Sequence, residues 1–366
     1  MHSYLGPPRR QPWNNQPSMI PVRARTDHPA RWQTELAGAI TAPEALLEAL
    51  GLPLPEGAAL ARMQQAAARF GLRVPQAYVA LMERGNPADP LLRQVLPIED
   101  ELLEVPGFIS DPVGDLDVLA SPGLLHKYDG RRLLITTGAC AVHCRYCFRR
   151  EFPYAAENAA AAGWQPALER LRADPDATEV ILSGGDPLAL ADSKLERLAR
   201  ELATLPQLRR LRLHTRTPIV LPSRVNDALT GWLASFPHPV VVVLHANHAR
   251  EFGAALREAC SRLRAAGVTL LNQAVLLRGV NDSVEAQVDL AEAGFAAGVL
   301  PYYLHQLDRV RGAAHFAVPD AVALELQAAL LARLPGYLVP RLVREIPGAS
   351  SKTPVVDLRE YRLPTA

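Results

Sequence analysis

Cysteine is scarce in this chain, with four residues in 366. Three of them, Cys140, Cys144 and Cys147, fall within eight positions, and the fourth, Cys260, lies far along the chain. Clustered thiols without evident disulfide partners call for a reducing compartment, so a cytoplasmic location is expected. Net charge is scarce as well. Lys and Arg number 39 against 38 Asp and Glu, leaving +1 at pH 7. That balance gives no electrostatic basis for a nucleic-acid partner or an acidic membrane surface. Long apolar runs are missing, and none approaches the roughly 20 residues that a membrane span requires. Residues 1–18 hold Arg9 and Arg10 but no apolar stretch, which argues against a secretory signal. Their prolines oppose the amphipathic helix of a transit peptide.

What is present is apolar bulk and alternation. Apolar residues make up 49% of the chain, enough for a sizeable core in one large domain or one plus a small one. Residues 1–28 are expected to be a disordered tail, with Met19 a candidate start. Residues 29–105 read as a helical N-terminal cap. Thr41-Ala42-Pro43-Glu44 has the form of a capping box with proline in the first turn. Further cap helices are expected near 58–70 and 75–83. Residues 106–366 read as a catalytic domain. There, strands are expected at 132–137, 178–182, 209–214, 239–245, 268–273 and 299–304, with helical patterns between them. Such alternation with right-handed crossovers gives a parallel α/β sheet. Six units are too few to close the usual eight-stranded barrel, so a partial (β/α)6 barrel is expected.

The three clustered thiols follow the first of these strands, at the end where α/β folds place their chemistry. Thiolates at CxxxCxxC spacing can hold three irons of a cubic 4Fe–4S cluster, and an iron without a protein ligand is a Lewis-acid site. Two other readings stay open. The spacing i, i+4, i+7 also fits one buried helix face. A zinc site completed by Cys260 or a histidine is the other, although structural zinc favours two CxxC knuckles and only Cys144/Cys147 is present.

Polar clusters end the other strands. Ser183-Gly184-Gly185-Asp186 permits close approach of backbone to a ligand, with exposed amides and carbonyls to grip a charged group. His214-Thr215-Arg216, His245-Ala246-Asn247-His248 and Asn272-Gln273 follow in turn. Lys127, Tyr128 and Arg131 precede the first strand and suit a phosphate, or simply a solvated basic turn. Lys352 stands in the loop 345–354, between apolar runs that would draw it back into the body. A desolvated lysine has a lowered pKa and a free amine for a Schiff base.

The run Cys144-Arg145-Tyr146-Cys147-Phe148-Arg149-Arg150, with its CxxxCxxC frame, resembles the radical S-adenosylmethionine (SAM) enzymes and, more narrowly, the lysine 2,3-aminomutases. The resemblance covers roughly residues 90–358, and within the family it points to the short branch that supplies β-lysine for modifying elongation factor P. It implies an isomerase that converts L-lysine to β-lysine, of R configuration, using a 4Fe–4S cluster, SAM and pyridoxal 5′-phosphate (PLP). By the same resemblance Cys140, Cys144 and Cys147 hold the cluster. The turn Ser183, Gly184, Gly185 and Asp186 holds the SAM methionine moiety, and His245 and Gln273 line the SAM and cluster site. Lys127, Tyr128 and Arg131 contact the PLP phosphate, and Lys352 holds PLP. Arg149 pairs with the substrate carboxylate. Asp308 and Glu345 bind the ε-ammonium of lysine, with Glu345 standing where the family has aspartate. For Arg216, Asn247 and His248 only proximity to the site is implied. The implied partners are a flavodoxin- or ferredoxin-type electron donor, and elongation factor P with its lysine ligase. Other readings are an aminomutase for another amino acid, a different radical SAM enzyme such as an RNA modifier, or a cluster-containing binding protein without catalysis.

Overall fold

The computed structural model describes residues 30–155, 157 and 163–356. The tail expected at 1–28, and Met19 with it, lies outside the described residues. Five helices come first: α1 (Arg31–Ala37), α2 (Pro43–Ala49), α3 (Gly57–Arg69), α4 (Gln76–Val79) and α5 (Pro90–Arg93). The proline places the start of α2, but the expected capping box does not form. Ala42 occupies the N-cap position, with no side-chain cap bond. The box needs its hydroxyl at that position, and Thr41 is one residue too early. Glu44 instead accepts from Gln64 Nε2 at 2.7 Å. The helix expected at 75–83 is only the single turn α4. Beyond it the amides of Leu81 and Met82 bond three residues back, as turns do.

Six parallel strands then appear where the alternation places them: β3 (Arg131–Thr137), β4 (Glu179–Gly184), β5 (Arg210–Thr215), β6 (Val240–Leu244), β7 (Thr269–Val275) and β8 (Leu300–His305). Helices α6 (Gln165–Arg172), α7 (Asp192–Ala203), α8 (Thr217–Val220), α9 (Asp227–Ser235), α10 (Ala254–Ala265), α11 (Val284–Ala296) and α12 (Asp320–Arg333) belong to the crossovers and the return after β8. β6 is a run of four valines and a leucine, four of its five residues buried, as befits a strand covered on both faces. α7 buries Leu195, Leu198, Ala199 and Leu202, one stripe at helical spacing. One apolar core runs from Trp32 in α1 to Leu342 beyond β8.

The sheet is larger than the six strands expected. β1 (Leu119–Ser121) and β2 (Leu124–Tyr128) add to one edge, and β9 (Arg341–Arg344) and β10 (Thr353–Pro354) to the other. The order is β1 to β10 in sequence, so the sheet is open between its first and last strands. This is the partial barrel the alternation implies. The segment carrying Lys127, Tyr128 and Arg131 is a hairpin. Lys127 and Tyr128 lie on β2, Gly130 turns the chain at φ +70°, and Arg131 opens β3. Leu124 and Leu125, both buried, anchor this strand, while its polar end masks it in the sequence. Among the described residues no helix is long and apolar enough to cross a membrane.

Candidate active site

A cavity of about 360 Å³ opens at the C-terminal ends of the parallel strands. Every residue given a cofactor or substrate role from the sequence lines it, from Lys127 on β2 to Lys352 before β10, and so does Arg216, whereas Asn247 and His248 do not. Lining the cavity is not the same as facing a ligand, and the hydrogen bonds separate the two.

The stretch 138–150 contains no helix, so the reading of the cysteines as a buried helix face does not hold. The loop is pinned by residues that precede the sheet in the chain. Arg145, fully buried, gives Nε and Nη2 to Glu101 at 2.8 and 2.6 Å, and Nη1 to the carbonyl of Phe70 at 2.7 Å. Arg150 reaches the same carboxylate at 2.7 Å. Arg73 Nη1 donates to the carbonyl of Cys140 at 3.1 Å. Burial pushes the Cys140 thiol well above its ordinary pKa and the Cys147 thiol up to about 11. Among the described residues no three His, Cys, Asp or Glu side chains converge on a point as ligands of a single ion do. A cubic cluster has no such need, because each thiolate binds a different iron. Cys260, the other candidate ligand, lies in the apolar core on α10, and its burial pushes its pKa up to about 12.

The glycine turn is built against that loop. Gly184 adopts φ +116°, and a Cβ there would meet the Thr137 carbonyl oxygen at 2.7 Å. A Cβ on Gly185 would lie 2.4 Å from the carbonyl oxygen of Ala139. The amides of Gly185 and Asp186 bond to Thr137 and Ala139 at 2.7 and 2.8 Å. This corrects the expectation of exposed amides: the close approach is to the cysteine loop's own backbone. Asp186 faces inward too. Its carboxylate accepts from Thr215 Oγ1 and from the amides of Leu188, Arg216 and Thr217. Burial raises its pKa against those bonds. Asp186 thus ties the end of β4 to the end of β5.

Three histidines line the wall beyond. His214 Nδ1 and His245 Nε2 are 3.2 Å apart. Burial, helped by Arg216 and Lys352, holds His245 at about 3, and burial likewise keeps His214 and His305 well below their ordinary range. Burial thus favours the neutral ring in all three. Gln273 Oε1 and His305 Nε2 are shielded from solvent and have no hydrogen-bond partner among the described residues. Both residues line the cavity, so these are positions a bound polar group can satisfy.

On the opposite side, β9 and β10 pair antiparallel with Thr353 facing Arg344. One step further, Glu345 and Lys352 face each other, with Nζ and Oε2 at 2.9 Å. The other oxygen of Glu345 accepts from the Tyr128 hydroxyl and lies 3.7 Å from Lys127 Nζ. Burial opposes ionisation of Glu345, but Lys352, Tyr128 and Lys127 outweigh it and hold the carboxyl below its ordinary range. Lys127 is also 2.7 Å from Asp115, whose second oxygen takes Arg149 Nε at 2.7 Å. An alternating chain of charges therefore runs Arg149–Asp115–Lys127–Glu345–Lys352. Arg131 stacks over the Tyr128 ring at 4.9 Å. Ser183 Oγ accepts from Arg149 at 3.2 Å. Asp308 is different. Its carboxylate makes no hydrogen bond or ion pair among the described residues, and burial pushes its pKa up to about 7.

Sequence reading missed Asp115, which is 1% exposed and joins two expected ligand-binding cations. It also missed Glu101 and Glu251, the buried acceptors for Arg145 and Arg216. Nothing in their local sequence separates them from solvated carboxylates. Their partners are 35 to 44 residues away along the chain.

Three thiols on a non-helical loop at the mouth of an open parallel sheet, with a lysine across the same cavity, form the frame of a radical SAM enzyme. Residues 134–291 match the radical SAM superfamily. The L-lysine 2,3-aminomutase of Escherichia coli K12 is 48% identical over 90% of this chain and 96% of that protein. The L-lysine 2,3-aminomutase of Haemophilus influenzae is 44% identical over 88% and 94%. That of Clostridium subterminale is 36% identical over 76% and 67%. The chain belongs to the lysine 2,3-aminomutase family of isomerases, whose cofactors are a 4Fe–4S cluster, SAM and PLP. The donor set fits them: three thiols for the cluster, two unpartnered polar atoms for a polar ligand, and a lysine amine for PLP.

Proposed function

We propose that this chain moves the amino group of L-lysine from the α-carbon to the β-carbon and releases R-β-lysine. The observation that carries this reading is the convergence of the cysteine loop and Lys352 on one cavity. No acid–base pair removes hydrogen from an unactivated carbon, so such a site has to bring a one-electron reagent and a nitrogen handle to one substrate. When bound, the cluster with SAM supplies the one-electron chemistry, and PLP supplies a π-system beside the migrating nitrogen.

The chain's own residues bind and orient. Cys140, Cys144 and Cys147 hold the cluster, and the turn 183–186 with His245 and Gln273 forms the SAM wall. Lys352 tethers PLP, with Lys127, Tyr128 and Arg131 at its phosphate. Arg149 takes the substrate carboxylate, as a fork suited to two oxygens. Asp308, without another partner among the described residues, takes the ε-ammonium together with Glu345, which exchanges one cation for another. Neutral histidines add no charge beside the reacting centre. Residues 29–105 act as a cap that fixes the cysteine loop, a role supported by the bonds from Arg145 to Glu101 and Phe70. A flavodoxin- or ferredoxin-type protein supplies the electron in the cytoplasm. The β-lysine passes to elongation factor P through its lysine ligase, a reading supported by the match to nearly the whole length of the short Escherichia coli relative.

The test is an anaerobic assay of reconstituted, reduced protein with SAM, PLP and a panel of amino acids, scored by chromatography for β-isomers. Conversion of lysine is expected. Lysine returned unchanged while another amino acid isomerises rejects the substrate. Lys352→Ala is expected to lose the PLP absorbance band and the activity while keeping its iron. Zinc without iron in the native protein rejects the cluster.

A further inference from the structure

Arg216 and Asn247 have no part in that reading, yet they are 5% and 1% exposed. Arg216 lies just past β5, and its guanidinium is fixed on several sides. Nη2 has three acceptors within reach of its two hydrogens, Glu251 Oε1 at 2.6 Å, Gln94 Oε1 at 2.7 Å and the Tyr78 hydroxyl at 3.0 Å. The rings of Tyr78 and Tyr146 each lie 5.5 Å from its central carbon. Glu251 is itself fixed, because its second oxygen accepts from the amides of Asn247 and His248 at 2.6 and 3.1 Å. Asn247 Nδ2 braces the Tyr146 hydroxyl at 2.7 Å. Held in this way, Nη1 of Arg216 donates to the Tyr146 hydroxyl and points at Cys144 Sγ, 3.0 Å away.

A thiol sulfur is a weak acceptor, and a buried arginine gains little from it. A thiolate bound to iron is a negatively charged acceptor, and reduction of the cluster adds one more negative charge. A fixed cation and an N–H···S bond favour the reduced form, most strongly in a site shielded from water. Arginine keeps its charge at every working pH. The Glu251 carboxylate, 2.6 Å from the same guanidinium, acts in the opposite direction.

We propose that Arg216 raises the reduction potential of the cluster through a charged hydrogen bond to Cys144, and that Glu251 limits the rise. This rests on the reading of Cys144 as a cluster ligand. Arg216 is thus a tuning residue that acts through Cys144, outside direct contact with the substrate.

The experiment is a spectroscopic redox titration of the reconstituted protein and three variants, with iron content measured for each. Arg216→Gln is expected to shift the midpoint potential negative, and Arg216→Lys to fall between it and the native protein. Glu251→Gln, close to isosteric, is expected to shift it positive. Opposite signs from the two partners of one ion pair are what a merely structural role does not produce. Unchanged potentials, or shifts of the same sign, overturn the proposal. If Arg216→Gln does not retain iron, Glu251→Gln decides alone, with an absent or negative shift rejecting it. Native protein that holds no iron rejects the cluster reading itself, a separate failure.

Discussion

Lys352 Nζ lies 2.9 Å from Glu345 Oε2 across the β9–β10 hairpin, one residue pair beyond the last paired strand positions. The hairpin thus delivers the amine and its counter-ion together, and two further groups, Tyr128 and Lys127, close on the same carboxylate.

That pairing makes Glu345 a source of pH-dependent stability. Its carboxyl titrates below its ordinary value in the folded chain. The contribution is therefore complete above the unfolded pKa and is lost as pH falls through the folded one. In cofactor-free protein, Glu345→Gln is expected to cost about 2 kcal/mol at pH 7. The gap to the native protein should narrow below pH 4 in denaturant melts. An unchanged gap across that range contradicts the assignment.

Asp308 has the opposite sign. Its folded pKa of about 7 stands above the ordinary 3.8. The folded chain holds that proton more tightly, so stability falls as pH rises between those values. Asp308→Asn is expected to be more stable than the native protein by on the order of 2–4 kcal/mol at pH 8, with the difference vanishing near pH 4. The same substitution should raise KM for lysine about tenfold or more, since a neutral amide cannot pair with an ammonium. Melting and kinetics together check a trade of stability for binding.

Gly185→Ala tests the junction of the glycine turn and the cysteine loop. Its Cβ would lie 2.4 Å from the Ala139 oxygen, a backbone atom that cannot move freely. A cost of about 1–3 kcal/mol is expected, with iron retention reduced on reconstitution. Gly231→Ala in α9, where nothing lies within 4 Å, is the control and should be neutral or slightly stabilising.

Asp115 holds Arg149 and Lys127 apart and in place. Asp115→Asn leaves two cations short of one charge in a site with little water. A loss on the order of 3 kcal/mol in stability is expected. If Arg149 is the carboxylate ligand, KM for lysine should rise more than kcat falls.

The alternation of apolar strands and amphipathic helices made the parallel sheet readable, because each buried strand and each helix stripe carries its own period. The hairpin at β2 and the one at β9–β10 were not readable as strands. They are short, their apolar residues are only two in a row, and their pairing depends on an existing sheet edge. The glycine turn was legible as a place needing glycine, but not for its reason, since the neighbour that excludes a Cβ is Ala139, 46 residues earlier.

The sequence by itself determined the chemical inventory: three thiols at CxxxCxxC spacing, a loop lysine, and polar residues at successive strand ends. Those follow from local spacing, and local spacing survives in one dimension. Tertiary structure alone decided which charges oppose one another. Asp115 between Arg149 and Lys127, Glu345 against Lys352, and Arg216 between Cys144 and Glu251 are pairings of residues distant or unremarkable along the chain. A charge's effect depends on what lies within a few ångströms and on how much water is excluded there, and folding sets both.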